Sequence, residues 1–563
     1  MTQRNTQPLP WRARGISDTI DGSTSFNGAM TSLSNLIPDP TTAQLWQCRP
    51  AAVPLVTFGQ ITAGPFSSGF SPGFQQQGLI PSQGTVSVFK NIGSLIYGMV
   101  GSVAGGDGFD HPFCFNIATN SFITVTGSMT GTLPAAQPTT GPWIPPIMDL
   151  IGSRLMVAHF GFDATPFMLG WFDLSNPLAP VWHAGTLTGL VPLQQPPIAV
   201  AQFAGRAYYI VNLASQPAVI FSDVLNALNC TNANQVLTFG DNTPLTAFGQ
   251  LRLFNQLGGI IQALIVFKGT QNIYQITGDA ALGNLALNAM NFATGTLAPN
   301  SICSTPKGLM FVAPDGMRLI DFSANISDPI GYDGKGIAAP FIYSNVPSRI
   351  CAACNGNVIR ISTQNQLQVN TAFQEYWYDI PRQIWSGPHT FPANYIQPYG
   401  NSFIMAAQGV PSLLWQSDSV QNVNSSFVEN GQQLNWTYST VLLPDTDQMG
   451  NIHLSQSLLD CALTSFAPPI NIVAQDQNQS VIDNVSLAGG SGGAVWGGFK
   501  WGETKWGVSG NALTPRIVPW HFPLVFSKAQ FIVSGQSAAP VRLGAWHFRY
   551  KQLRALTDVS AAA

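Results

Sequence analysis

Glutamate is almost missing from this 563-residue chain: only Glu375, Glu429 and Glu503 occur, beside eight lysines. Surface helices draw heavily on both residues, so their scarcity argues against a helical protein, while abundant Val, Ile, Phe, Thr and Gly point to strands. Charge of either sign is thin, at 9% of residues against 45% hydrophobic and 11% aromatic. A disordered chain has the opposite balance. Long apolar runs are also missing. The longest, LGGIIQALIVF at 257–267, is too short and interrupted to span a bilayer, so no membrane span is expected. The opening residues MTQRNTQPLPWRARG lack the apolar run of a secretory signal, so assembly in the cytoplasm is expected. Seven cysteines, an odd number scattered at 48, 114, 230, 303, 351, 354 and 461, do not read as a disulfide framework. Cys351-Ala-Ala-Cys354 has metal-ligand spacing, but no second CxxC or His pair completes four ligands, so two ordinary strand thiols are expected.

The formal net charge of −3 is unevenly spread. Arg4, Arg12 and Arg14 stand in the first fifteen residues without an acid, residues 496–563 hold eight basic and two acidic side chains, and residues 16–495 hold 12 basic and 24 acidic ones. The body is therefore acidic and the two ends are basic. No dense basic stripe exists to neutralise phosphates, so sequence-specific nucleic-acid binding is not expected. DNA would pass such a surface without being held.

Three regions differ in pattern. Residues 1–78 are rich in Gly, Ser, Pro and Thr with little periodicity, and read as an extended N-terminal arm. Residues 79–428 consist of short apolar or alternating runs broken by Gly, Asn and Asp turns, such as GSLIYGMVGS, PIAVAQFAGRAYYIVN and RICAACNGNVIRIST. They recur every 40 to 50 residues, with starts near 80, 145, 195, 248, 300, 349 and 392. That is the period of a four-stranded propeller blade and predicts an all-β fold with a β-propeller of about seven blades. Asp315-Gly316 has the composition of a type I′ hairpin turn. Residues 429–563 carry longer alternating runs, NIHLSQSLLDCALTS and APVRLGAWHFRYKQLR among them, as expected of a C-terminal antiparallel β-sandwich.

Candidate chemistry is sparse. Gly69-Phe70-Ser71-Pro72-Gly73 fits a nucleophile-elbow pattern, but Pro72 lacks the N–H that the oxyanion hole needs. Glu375 and Asp379 pair two carboxylates, yet four strand residues separate them by roughly 13 Å, beyond the roughly 5–9.5 Å of glycoside hydrolysis. Both are expected on an exposed strand face. Asp107, Asp110 and His111, and Asp328 with Asp333, lack the spacing of a calcium loop and read as turn residues. No Walker motif occurs: the Gly334-Lys335 dipeptide has Pro329 where the first glycine should stand. No catalytic, metal or cofactor site is expected from these motifs, and the chain reads as a non-enzyme.

In WGGFKWGETKWG, Trp496, Trp501 and Trp506 stand five residues apart. A helix would turn successive rings by about 140° net, and a strand would put Trp501 opposite the other two, so neither stacks three rings on one ligand. A glycine-flexed loop anchoring a subunit or partner interface is the preferred reading. Sugar stacking and packing against the chain's own sandwich stay open.

The stretches FNGAMTSLSNLIPDPTTAQLWQCRPAAVPL (26–55), VFKGTQNIYQITGD (266–279), APNSICSTPKGLMFVAPDGMRLIDFS and FSKAQFIVSGQSAAPVRLGAWHFRYKQL together resemble the tail nozzle or hub proteins of short-tailed bacteriophages, the tail tubular protein B type. The family's opening segment commonly ends in Arg-Pro-Gly, whereas Arg49-Pro50 is followed here by Ala51. The resemblance implies a virion structural protein, six copies of which form a ring below the portal and the adaptor or head-to-tail connector. It also implies a lumen passing double-stranded DNA and an outer surface carrying tail fibres or tailspikes. The alternative is a glycan-binding or glycan-cleaving propeller that serves a virion as receptor protein.

Overall fold

In five of the chain's antiparallel units a two-residue loop containing glycine turns the first strand into the second. Gly93-Ser94, Gly152-Ser153, Ala204-Gly205, Gly356-Asn357 and Gly400-Asn401 each lie between directly paired residues, and in each the glycine has a positive φ. Left-handed backbone at a two-residue loop matches the twist of the flanking strands, so the turn fixes the register of each unit. The computed structural model describes residues 9–11, 15–16, 29–39 and 45–55. It also describes 84–552, apart from short connections and the longer stretch 488–513.

Seven antiparallel units follow one another. Their first strands are Gly84–Ile92, Ile147–Ile151, Ala199–Phe203, Leu245–Phe254, Cys303–Thr305, Cys351–Asn355 and Ala393–Tyr399. Each of these strands packs beside the first strand of the next unit, and the seventh returns to the first, so they form a closed ring. This is a seven-bladed β-propeller, with the blade starts that the sequence period predicts. Apolar clusters fill the wedges between successive blades, for example Met156, Tyr209 and Ile220 between blades 2 and 3, and Phe267 with Phe311 between blades 4 and 5. Blade 5 has three full strands, and its fourth position is filled by two isolated pairings, Ile320 with Ile326 and Met317 with Ile330.

One hairpin differs in detail from its sequence reading. In blade 5 Ala313 pairs directly with Gly316, so the two-residue loop is Pro314-Asp315. Proline's fixed negative φ rules out a type I′ turn there, and Gly316 takes the positive φ of 131° one position later.

The N-terminal stretch is woven into both halves. Strands Ala29–Ser34, Leu36–Pro38 and Trp46–Cys48 join the two sheets of the C-terminal sandwich, pairing with Gln432–Thr440 and Arg542–Gln552. Val53–Pro54 then becomes the outermost strand of blade 7, opposite Trp415 and Gln416. A strand from before blade 1 thus completes the last blade and removes an open edge. The sandwich shares more with the propeller than this crossing. One sheet runs from blade 6 through Ala29–Ser34 into Gln432–Thr440, Ala529–Ser537, Ile470–Asp476 and Val481–Leu487, and one apolar core joins Ile359, Ile361 and Trp385 of blade 6 to Trp436, Phe531 and Trp546 of the sandwich.

Buried charge locks this junction. Arg49 forms a two-pronged pair with Glu429 at 2.8 Å for each contact, donates from Nε to Asn35 Oδ1 at 2.8 Å, and Glu429 also accepts the Ala52 N–H at 2.9 Å. Fork-to-fork geometry of this kind satisfies both groups where water is excluded.

Candidate functional site at the propeller axis

Because the first strands ring the axis, the side chains they turn inward define a central channel. Lys90 and Asp149, from blades 1 and 2, face it together with Gln250, Ser304 and Gln397 from blades 4, 5 and 7, and residues of all seven blades line it. The enclosed space is about 260 Å³. Asp149 is its electrostatic centre. One oxygen faces Lys90 Nζ at 3.1 Å and takes the Leu150 N–H at 3.0 Å; the other accepts the Gln202 N–H at 2.8 Å. Gln250 Nε2 donates to the Gln202 carbonyl at 2.8 Å and stands 3.4 Å from Asp149. The carboxylate is therefore saturated by donors, which suits a structural tie across blades 1–4 better than a proton carrier.

The channel opens on blades 3, 4 and 5 into a wider cleft of about 440 Å³, which shares Gln250 and Ser304 with it. Beyond those two the polar and aromatic lining of the cleft includes Gln202, Arg252, Gln262, Thr305 and Phe322. Strand Leu245–Phe254 creates this edge by alternation: Leu251 and Leu253 point into the wedge, while Gln250, Arg252 and Phe254 are exposed. Arg252 is paired in register with Gln262 on the next strand. Phe254 meets Phe322 edge-on, with ring centroids 5.8 Å apart. A half-open hollow with several amides, one guanidinium and an aromatic rim is similar in composition to the lining of a ligand pocket. Sequence reading missed these residues. Their signal is a polar side chain near the same depth in successive first strands, as in IMD, AVAQ, FGQ and YIQ, visible only after the blades are aligned.

The sequence-derived candidates are placed otherwise. Glu375 is not on an exposed face: it is fully buried in blade 6 and held by the Arg360 guanidinium, with Nη2 to Oε2 at 2.8 Å. Arg360 itself lies 4.4 Å over the Trp377 ring, so a cation–π contact and an ion pair together make burial of both charges tolerable. Asp379 is also largely buried and pairs with Arg382. Asp110 begins a strand rather than a turn, and its Oδ2 meets His159 Nε2 at 3.0 Å between blades 1 and 2. His159 Nδ1 accepts the Gly161 N–H at 2.9 Å, so both ring nitrogens are committed and neither serves as a general base. Asp328 is exposed. Cys351 and Cys354 lie three apart on one strand, on opposite faces, where they cannot share a metal ion. All seven cysteines are free thiols, and burial pushes each one up, Cys351 to about 12 and Cys354 to about 11. Such thiols supply little thiolate at neutral pH. Among the described residues no group of three or more His, Cys, Asp or Glu is placed to hold a metal, and no helix is long and apolar enough to cross a membrane. Trp496, Trp501 and Trp506, the Gly69–Gly73 pattern, Asp107 and Asp333 lie outside the described residues.

No family model matches the chain, and no curated protein is similar to it. Solved structures give weak likenesses. Puromycin hydrolase is 10% identical at a TM-score of 0.38, with 66% of this chain and 60% of that chain covered. A glycoside hydrolase family 43 arabinoxylan arabinofuranohydrolase from Bacillus subtilis is 10% identical at 0.26, covering 84% and 96%. SapL1 lectin, solved with alpha methyl fucoside, is 14% identical at 0.28, covering 54% and 94%. Two of these three are hydrolases, and this overturns the expectation that the chain is a non-enzyme, which is withdrawn. The likenesses are too remote to transfer any activity.

Proposed function

We propose that the chain is a structural subunit of a bacteriophage tail, of the nozzle or hub type, whose copies form a ring around the path of the DNA. The observation that carries this reading is the route of residues 29–55. This segment supplies three strands to the sandwich and the closing strand of blade 7, and anchors Arg49 in the buried pair with Glu429. It is also the first of the stretches similar to that family. A body stitched in this way transmits load between its halves instead of hinging. The propeller's own axis, with about 260 Å³ of space, is far too small for a duplex whose major groove alone is ~12 Å wide. In this reading DNA passes between copies, along an acidic and sparsely charged wall that does not trap phosphates. The basic ends and the tryptophan loop are the segments proposed to meet the adaptor, the fibres or a neighbouring copy.

Mass photometry of the purified full chain, with electron micrographs of particles carrying it as a labelled fusion, tests the proposal. A closed ring, six copies in the strict form of the hypothesis, is the expected result. A monomer at all concentrations, with no label on the tail, rejects it.

A second reading is favoured by one specific observation, the cleft with Gln202, Gln250, Arg252, Gln262 and Phe322 at the channel mouth. Amides that match hydroxyl groups, beside an aromatic rim, suit a glycan. This reading makes the propeller a recognition surface of the virion, and it is compatible with a place in the tail.

A further inference from the structure

We propose that the cleft between blades 3, 4 and 5 is a subsite for a carboxylate-bearing sugar of an acidic glycan, with Arg252 as the anion contact; the proposal rests on the glycan reading above. Exposed residues alternate along Leu245–Phe254 so that an amide (Gln250), a guanidinium (Arg252) and an aromatic ring (Phe254) stand in one row. Neighbours in such a row are spaced roughly 7 Å apart. The three chemistries correspond in turn to sugar hydroxyls, a carboxylate and the apolar face of a sugar ring.

Charge makes the choice of an acidic ligand. Residues 16–495 contain twice as many acids as bases, and most buried or half-buried arginines of this region are tied to a carboxylate: Arg49 to Glu429, Arg318 to Asp315, Arg360 to Glu375 and Arg382 to Asp379. Arg252 is exposed, has no ion-pair partner among the described residues, and no acidic side chain lines its cleft. The nearest carboxylate of the channel, Asp149, is already taken by Lys90 and two backbone amides. A planar guanidinium left free in a hollow, with Gln262 directly across the strand pair, is arranged to take a carboxylate in a two-pronged contact while the amide binds a neighbouring hydroxyl.

Calorimetric titration of the full chain with tetragalacturonate and with 3′-sialyllactose, against neutral maltotetraose, tests the assignment. At least one acidic probe is expected to bind tenfold or more tightly than maltotetraose, with affinity falling as salt rises. Arg252→Ala should erase that preference while leaving thermal stability unchanged, and Gln262→Ala should weaken acidic and neutral sugars alike. Equal affinity for acidic and neutral sugars, or an acidic affinity untouched by Arg252→Ala, overturns the acidic subsite and leaves the glycan reading standing. No heat and no competition with any of the three sugars at millimolar concentration overturns both.

Discussion

His389 is held neutral by what surrounds it. It is buried, and burial first, then the positive charges of Arg49 and Arg360, drive its pKa well below the usual 6.5. Its Nδ1 accepts the Asn35 N–H at 2.9 Å, so the ring proton sits on Nε2, 3.3 Å from Ser386 Oγ. Protonation would set an N–H against an N–H and add a third cation to two guanidinium groups. Since the unfolded chain takes up this proton first, the contribution is complete above about pH 6.5 and is lost as pH falls from there toward the folded-state pKa. Urea midpoints of the native chain should therefore drop between pH 7 and pH 5. His389→Asn, which keeps an acceptor for the Asn35 amide but cannot titrate, should drop less over the same interval. Identical pH dependence in the two proteins would reject this account. Glu375 shows why such residues were hard to read from sequence. A glutamate in EYWYDI looks like the exposed face of a strand, and its burial depends on Arg360, which strand pairing brings alongside. Residue type was legible; register and the partner it selects were not.

Elements were read with more success, for a physical reason. Two-residue glycine loops and strand alternation are local, and they repeat, so starts expected near 80, 145, 195, 300, 349 and 392 fall within four residues of observed first strands; the start near 248 lies inside Leu245–Phe254. Alternation was equally reliable in the sandwich, where NIHLSQSLLDCALTS contains the strand Ile452–Ala462. What alternation does not reveal is which ring covers which glycine. Trp436 lies directly opposite Gly535 on the neighbouring strand, and a Cβ at position 535 would come within 2.6 Å of Trp436 Cζ2. The indole fills the place of the missing side chain, an arrangement that pins the register of the pair. Gly535→Ala should cost about 1–3 kcal/mol by overpacking, read from chemical denaturation. Because the strain lies between these two residues, Gly535→Ala with Trp436→Leu should lose less than the sum of the single changes. Strict additivity would show that the close approach is relieved elsewhere.

At the scale of the whole molecule the N-terminal stretch decides how the two halves are related. Its strands are two to six residues long and show no sustained period, so the sequence suggests an extended arm. Their distant partners lie about 400 to 500 residues away, as in the pairings of Leu33 with Tyr438 and Gln47 with Arg542, and no local pattern encodes a contact of that range. The cleft on blades 3, 4 and 5 was hidden for the same reason, since Gln202, Arg252 and Thr305 come from three blades. The consequence is a test of autonomy. Residues 429–563 include the longest strands of the sandwich, Ile452–Ala462 and Arg542–Gln552. Without residues 29–48, however, Gln432–Thr440 loses its neighbour Ala29–Ser34, Arg542–Gln552 loses Trp46–Cys48, and buried Met30, Leu33, Leu36 and Trp46 leave the shared core. Each such large-to-nothing loss removes about 1.5–3 kcal/mol of burial, against a total stability of roughly 5–15 kcal/mol for a domain. The isolated fragment 429–563 should therefore lack cooperative unfolding in a thermal melt. The intact chain should melt in one transition, because blade 6 and the sandwich share a sheet and a core. A fragment that melts cooperatively, or two resolved transitions in the intact chain, would show that the halves are independent domains and that the shared sheet is only a contact between them.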